Sequence, residues 1–438
     1  MTLIHRLPAA AVAAIAALVV FAGLALALAL TRGGAPAQLA PAGDETEFPR
    51  TTDGTIAKAQ SVLAGDPRDV PALEALAGAS LDKARETGDP SWSTKAGRAA
   101  ARALAADPRS FDAMDVLGTL ALTRHRFGEA LEWSSRSLAV APTRVAPLSI
   151  RADALIELGR YPEGFAAVER RVGLRPDLPS YSRASYALEL RGDRAGAIRY
   201  MRLAVGAGAI GSESRAWARV QLGLLLFGGG DLAGAEREMR GALAERPRDA
   251  RATAGLAKAL AARGQLDHAA ALYATALATL PLPEYPAALA EIDAARGDRA
   301  GEARELGLVR AMQRLLAASG SVVDLDLALI EADFSAPTAP DVALARRARA
   351  TRPGVIGDQV LGWVLTRAGR CAEADRYATR SLRLGTRDAL MLFHAGMAAS
   401  CAGHAGAARE RLSAALALNP RFSVRWAPVA RRELARLS

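Results

Sequence analysis

Apolar and small residues fall along this chain in helix-length clusters divided by polar or glycine-containing turns, and the clusters repeat. The clearest unit runs from Phe111 to Arg144. Its first cluster holds Met114, Leu117, Gly118 and Ala121, and His125, Arg126 and Phe127 form a turn. The second cluster holds Ala130, Ser134, Ser137 and Leu138 and stops at Pro142. This predicts an antiparallel pair of helices. Gly118 and Ala130 are small where two helix axes approach, and Pro142 cannot donate the hydrogen bond that would continue the second helix. Pro142 and Pro176 lie 34 residues apart, as do Pro247 and Pro281; Ala130 and Gly164, Ala235 and Ala269, and Ala374 and Ala408 keep the same step. Self-similarity at that period marks a stacked array of helical hairpins.

The pattern recurs over Val145–Asp177, Leu178–Gly211, Ala216–Asp249, Ala250–Leu282, Val355–Asp388 and Ala389–Phe422. A small residue sits midway along each first helix, as at Gly223, Gly362 and Gly396, and an Ala or Gly early in the second, as at Ala197 and Ala374. A small-Leu pair such as Ala242-Leu243 or Ala276-Leu277 and a closing Pro often follow. These residues resemble the tetratricopeptide repeat, over most of residues 53–422. The resemblance implies an all-α, right-handed superhelical solenoid of about nine to ten helical-hairpin repeats with a C-terminal capping helix. It also implies a concave face lined mainly by first helices, which binds proteins and carries no chemistry of its own.

Three stretches depart from the pattern. Ile56–Pro67 reads as a lone second helix. Val70–Pro108 reads as a repeat whose loop is enlarged by Glu86–Trp92. Residues 283–354 are the least regular, with a long second helix to about Ser319, a break at Ser319-Gly320-Ser321, and a degenerate repeat with Phe334–Pro340 as its loop. The expected organisation is an N-terminal arm over 53–282, irregular repeats and a break over 283–354, and a C-terminal arm over 355–422. Some freedom is expected between the arms. In the cap, 423–438, Trp426, Val429, Leu434 and Leu437 would cover the last repeat.

Before the array, a tail of residues 1–8 leads to an apolar segment, 9–31, and a linker, 32–52, rich in Gly, Pro, Ala and Thr. Ala9–Leu30 is an uninterrupted apolar run of spanning length, since a helix needs roughly 20 residues to cross a bilayer. It reads as a membrane anchor. Ala35-Pro36-Ala37 supplies a cleavage pattern, so a signal segment removed to release a periplasmic or secreted protein is the alternative. His5 and Arg6 precede the run and Asp44, Glu45 and Glu47 follow, which favours the repeats outside the cytoplasm.

Composition narrows the function further. Apolar residues make up 51% of the chain and aromatics 5%, with Ala and Leu dominant, which favours helices over strands. The net charge of +10 comes from a chain with four lysines and 52 arginines, spread over every repeat and interleaved with carboxylates. That is a solvated mixed face rather than a nucleic-acid footprint. Gly206–Gly211 matches a dinucleotide-binding pattern but follows a helix where the motif needs a strand. The five histidines show no metal-ligand spacing, and His394 beside Phe393 and Met397 suits a packed or groove position. No cofactor, metal or catalytic set is expected. An enzyme sited among Asp324, Asp326, Glu331 and Asp333 is the weakest reading, because acidic residues on a solvent face explain them more simply.

Cys371 opens the second helix of one repeat and Cys401 closes the first helix of the next. Antiparallel neighbours put both on one edge, and an exported location permits a disulfide; two separate thiols are the alternative. The resemblance implies groove-facing residues at Asp112, Asp115, Asp153, Glu157, Tyr186, Glu189, Trp217, Lys258, Glu291, Trp363, Arg367, Phe393 and Met397. The groove would then be acidic early and apolar late. The expected function is a membrane-tethered, exported scaffold that holds a protein or peptide partner there, in assembly or maturation of an envelope or secreted complex.

Overall fold

The computed structural model describes residues 51–318 and 324–438, and every regular element there is an α-helix. The apolar segment 9–31, most of the linker and Ser319-Gly320-Ser321 lie outside those residues. Among the described residues, no helix is long and apolar enough to cross a membrane.

The lone helix α1 (Thr52–Gly65) precedes a series of hairpins. These are α2 (Val70–Thr87) with α3 (Pro90–Ala106), α4 (Phe111–Thr123) with α5 (Phe127–Val140), and α6 (Ala146–Glu157) with α7 (Tyr161–Leu174). Next come α8 (Leu178–Leu190) with α9 (Arg194–Ala207), α10 (Glu213–Gly228) with α11 (Leu232–Glu245), and α12 (Ala250–Ala262) with α13 (Leu266–Thr279). The series continues with α14 (Glu284–Arg296) and α15 (Arg299–Ala318), then α16 (Asp324–Phe334) and α17 (Ala339–Thr351). It ends with α18 (Val355–Arg367) and α19 (Cys371–Ser381), α20 (Ala389–Cys401) and α21 (Ala405–Leu418), and the closing helix α22 (Trp426–Leu437).

Turn chemistry sets this rhythm. Many first helices open on Asp or Ser, whose side chain accepts from a backbone N–H of the first turn: Asp69 from Ala72, Ser110 from Ala113, Asp249 from Ala252 and Asp388 from Met391, whereas α6, α14 and α18 open on Val145, Pro283 and Gly354 without such a bond. The segment expected as an enlarged loop, Glu86–Trp92, is instead absorbed into α2 and α3. Gly88, at φ 70°, ends one helix and Asp89 caps the next, so two residues suffice for the turn.

The described residues form an all-α, right-handed superhelical solenoid. First helices pack on successive first helices from α2 to α12 and again from α16 to α22, whereas second helices scarcely touch one another. The tighter seam is the inner wall of the curve. It is interrupted around α14, and α15 and α16 are the one consecutive pair that does not pack side by side among the described residues.

The two expected arms touch, because the superhelix comes round and rests on itself. The hydroxyl of Tyr161 accepts from the Val355 N–H at 2.6 Å. Thr386 donates to the Leu190 carbonyl at 2.6 Å, and Asn419 donates to the Phe227 carbonyl at 2.7 Å. Arg352 pairs with Glu157. These partners are 192 to 196 residues apart, roughly six repeats of 34. At Gly192, φ is +77° and a Cβ would lie 2.2 Å from the Gly385 oxygen. Only glycine lets those two turns meet.

Candidate functional site

The thirteen positions expected to face a ligand separate into three groups along the inner wall. On α4, Asp115 is buried and accepts from Ser137 at 2.7 Å and from Arg144, which also holds Asp112 at 2.5 Å. On α6, Asp153 takes a two-pronged pair from Arg183 at 2.9 and 2.7 Å. Glu157 is engaged by Arg352 from the next superhelical turn and by the Tyr186 hydroxyl at 3.4 Å. The acidic early groove is therefore neutralised by the array's own arginines. Burial and the Glu157 charge hold the Tyr186 phenol well above its usual range. Trp217 on α10 is half-buried against a core of Ala218, Leu222 and Leu225.

The second group comprises Glu189, Lys258 and Glu291. Glu189 on α8 is exposed, yet desolvation and then Asp388 push its carboxyl up to about 7. Glu291 on α14 is also raised to about 7, by desolvation and then by the charge of Asp333, against Lys258 and Arg425. Lys258 lies 5.1 Å over the Phe227 ring.

The third group forms a cleft of about 340 Å³. Three successive first helices build it: α18 supplies Trp363, Thr366 and Arg367, α20 supplies Met397, Ser400 and Cys401, and α22 supplies Trp426, Val429, Glu433 and Arg436. Trp363 and Trp426 meet edge to face with centroids 5.2 Å apart. Both indole N–H groups donate to Asp333 Oδ1, at 2.8 and 3.1 Å, and this shared acceptor fixes both rings. Desolvation pushes Asp333 up to about 6, against those two bonds and the nearby arginines.

Arg367 donates to the carbonyls of Ala332 at 2.9 Å and Ser335 at 3.4 Å, lies 5.9 Å over Trp363 and 5.7 Å over Trp426, and makes no ion pair among the described residues. Burial and then the like charge of Arg425 hold its guanidinium below its ordinary value. Glu433 is occupied by Arg436 at 2.7 Å and by Ser400.

Phe393 does not face a ligand. It is fully buried between Trp363, Phe422 and Trp426, because its place on α20 points into the hairpin core. His394 is buried too, stacks on Trp363 at 4.2 Å, and desolvation pushes it down to about 3, so it stays neutral. Cys371 and Cys401 are joined in a disulfide, with Cα atoms 5.1 Å apart, beside the cleft. Among the described residues no group of His, Cys, Asp and Glu could hold a metal. The Asp324 side chain lies outside the described positions. Glu331 pairs with Arg310, and Asp333 serves the two indoles. The sequence reading missed Trp426 and Asp333 as parts of this site. It took the first as a cap and the second as a surface acid.

Among known proteins, the chain is similar to a tetratricopeptide-repeat protein from Parabacteroides merdae, with 16% identity, 56% of this chain and 97% of that one covered, and a TM-score of 0.41. It is also similar to PilW, a type IV pilus biogenesis factor, with 16% identity, 46% and 92% coverage and a TM-score of 0.39. A thermophilic repeat protein from Thermus thermophilus gives 17%, 48% and 100%, and 0.37. A search of curated proteins found no match. A family model described as tetratricopeptide repeat matches residues 226–292. That match runs from the end of α10 into α14, within the longer series of helical hairpins.

Proposed function

We propose that this protein is an exported, membrane-tethered interaction scaffold that holds a segment of a partner protein at the inner wall of its last repeats. The observation that carries this reading is the cleft between α18, α20 and α22. It is lined by Met397, Val429 and the edges of two buried tryptophans together with Thr366, Arg367, Ser400, Glu433 and Arg436, and is set in a wall whose earlier carboxylates are engaged by the array itself. The apolar run 9–30 supplies the tether. The Cys371–Cys401 disulfide supports a location outside the cytoplasm, where such bonds persist. A role in assembling an envelope or secreted complex follows from that placement.

The test is site-specific photocrosslinking in native membranes. A crosslinker at Met397 is expected to capture a discrete partner, and one at Asp112 is expected to capture none. Equal yields at both positions overturn the reading. A C-terminal reporter that functions only in the cytoplasm should be silent, and an active one rejects export.

A further inference from the structure

The C-terminal arm differs from the rest of the chain in charge as well as in shape. Residues 355–438 hold thirteen arginines against six carboxylates, so most of the net +10 resides there. Near the cleft, the carboxylates are already taken. Glu433 is bound by Arg436 and Ser400, Asp333 by the two indoles, and Glu302 by Arg425 at 3.3 Å. Arg367 is the charged cleft residue that makes no ion pair among the described residues. Two of its N–H groups are used on backbone carbonyls, and a guanidinium carries five. It lies over two indole faces, beside the floor made by Met397 and Val429.

From this we infer that the cleft binds an acidic peptide segment carrying one bulky apolar side chain. The apolar side chain packs against Met397 and Val429, in front of the buried rings of Trp363 and Trp426, and a neighbouring carboxylate pairs with Arg367. The occupant has to be anionic, because a basic segment would add charge beside Arg367, Arg425 and Arg436. It has to carry an apolar anchor, because the accessible apolar lining is the Met397 thioether and Val429, set over two buried indoles, rather than a ladder of donors. Both requirements must fall within a few residues of each other, since Arg367 and the two tryptophans share one wall. The inference rests on the reading of this wall as the partner site and adds the partner's chemistry.

The test is selection of a random displayed peptide library on the full chain in detergent, followed by affinity measurement of the enriched peptides. Enriched sequences are expected to combine Asp or Glu with Leu, Phe, Trp or Met. They are expected to quench tryptophan fluorescence, and to bind Arg367→Gln about tenfold more weakly, as for loss of a central arginine anchor. Because Arg367 also ties α18 to Ala332, Met397→Glu serves as a second variant, placing a like charge against the acidic peptide; it should lose binding outright. Enrichment of basic sequences, enrichment without an apolar residue, no enrichment, or unchanged affinity in both variants overturns the proposal. So does a single-stranded oligonucleotide that binds in place of peptides with the same dependence on Arg367. If the Met397 crosslinker captures a partner while the library yields basic peptides, the site stands and its chemistry falls. If neither succeeds, the site itself is wrong.

Discussion

The inner wall of the first repeats and the inner wall of the last are built from the same helical positions, yet they serve different ends. In α4 and α6 those positions carry Asp112, Asp115, Asp153 and Glu157, and each is matched by an arginine: Arg144, Arg183 or Arg352. In α18, α20 and α22 they carry Trp363, Arg367, Met397 and Trp426 around an open cleft. The early wall uses charge to bind the array to itself, including one turn of the superhelix to the next. The late wall is held from behind, by Asp333 and the aromatic core in which both indoles are buried, and leaves Arg367 and Met397 partly accessible. A groove residue therefore has to be judged by what already satisfies it, not by its position in the repeat.

The largest test of the comparison is the bond beside the cleft. Cys371 and Cys401 are 30 residues apart and close a loop spanning two hairpins. Replacing both by Ser should cost roughly 3–4 kcal/mol in the chain-entropy account. Denaturation monitored by tryptophan fluorescence should show the loss confined to the C-terminal repeats, leaving the early wall's transition in place. A uniform loss would mean that the two regions unfold as one and would weaken the contrast.

Next comes the contact between superhelical turns. Gly192→Ala places a Cβ 2.2 Å from the Gly385 oxygen and strains a φ of +77°. The expected cost is roughly 3 kcal/mol, from about 1–2 for the left-handed backbone and the remainder from overpacking. Gly264 has φ +82° and nothing within 4 Å of a Cβ, so Gly264→Ala isolates the backbone share. A larger radius of gyration in Gly192→Ala alone would locate the clasp; equal behaviour of the two variants would remove it.

The hairpins were legible in the sequence because their causes are local. Gly118 is small because Ile150 and Trp133 close on it, and Gly164 because Ile156 does, and each recurs with the repeat. The clasp was not. Tyr161 and Val355, or Asn419 and Phe227, meet only because the superhelix completes a turn, and no short-range pattern encodes its pitch. Half the cleft was hidden for a related reason. Trp426 reads as a cap when only α20 and α21 are considered. Its role in a wall appears once α16 brings Asp333 to its indole.

A smaller effect is expected at Glu157. Glu157→Gln removes the partner of Arg352 while keeping the side chain's shape, and should cost about 1–3 kcal/mol for a half-buried charge-assisted bond. Partner capture from Met397 should be unchanged, since this carboxylate acts within the array. Loss of capture would return the early wall to the binding site.

The smallest effect concerns proton binding inside the coil, and its sign runs against ordinary acid unfolding. Glu291 is raised to about 7 by desolvation and by Asp333, opposed by Lys258 and Arg425. A carboxyl raised on folding holds its proton more tightly in the native state. Its contribution therefore favours the fold at low pH and is lost as pH rises from the ordinary carboxylate range through about 7. Elsewhere Asp177 and Glu245 are lowered, because against desolvation their arginine, hydroxyl and backbone partners together prevail, and their contributions run the other way. The difference between wild type and Glu291→Gln isolates the group. The variant should be the more stable protein above pH about 7, where the wild type must carry an enclosed charge, and the gap should close as Glu291 protonates. Paired thermal melts across that window measure it. A constant gap would show that Glu291 is solvated like a surface acid, and that the early turns do not enclose the inner wall.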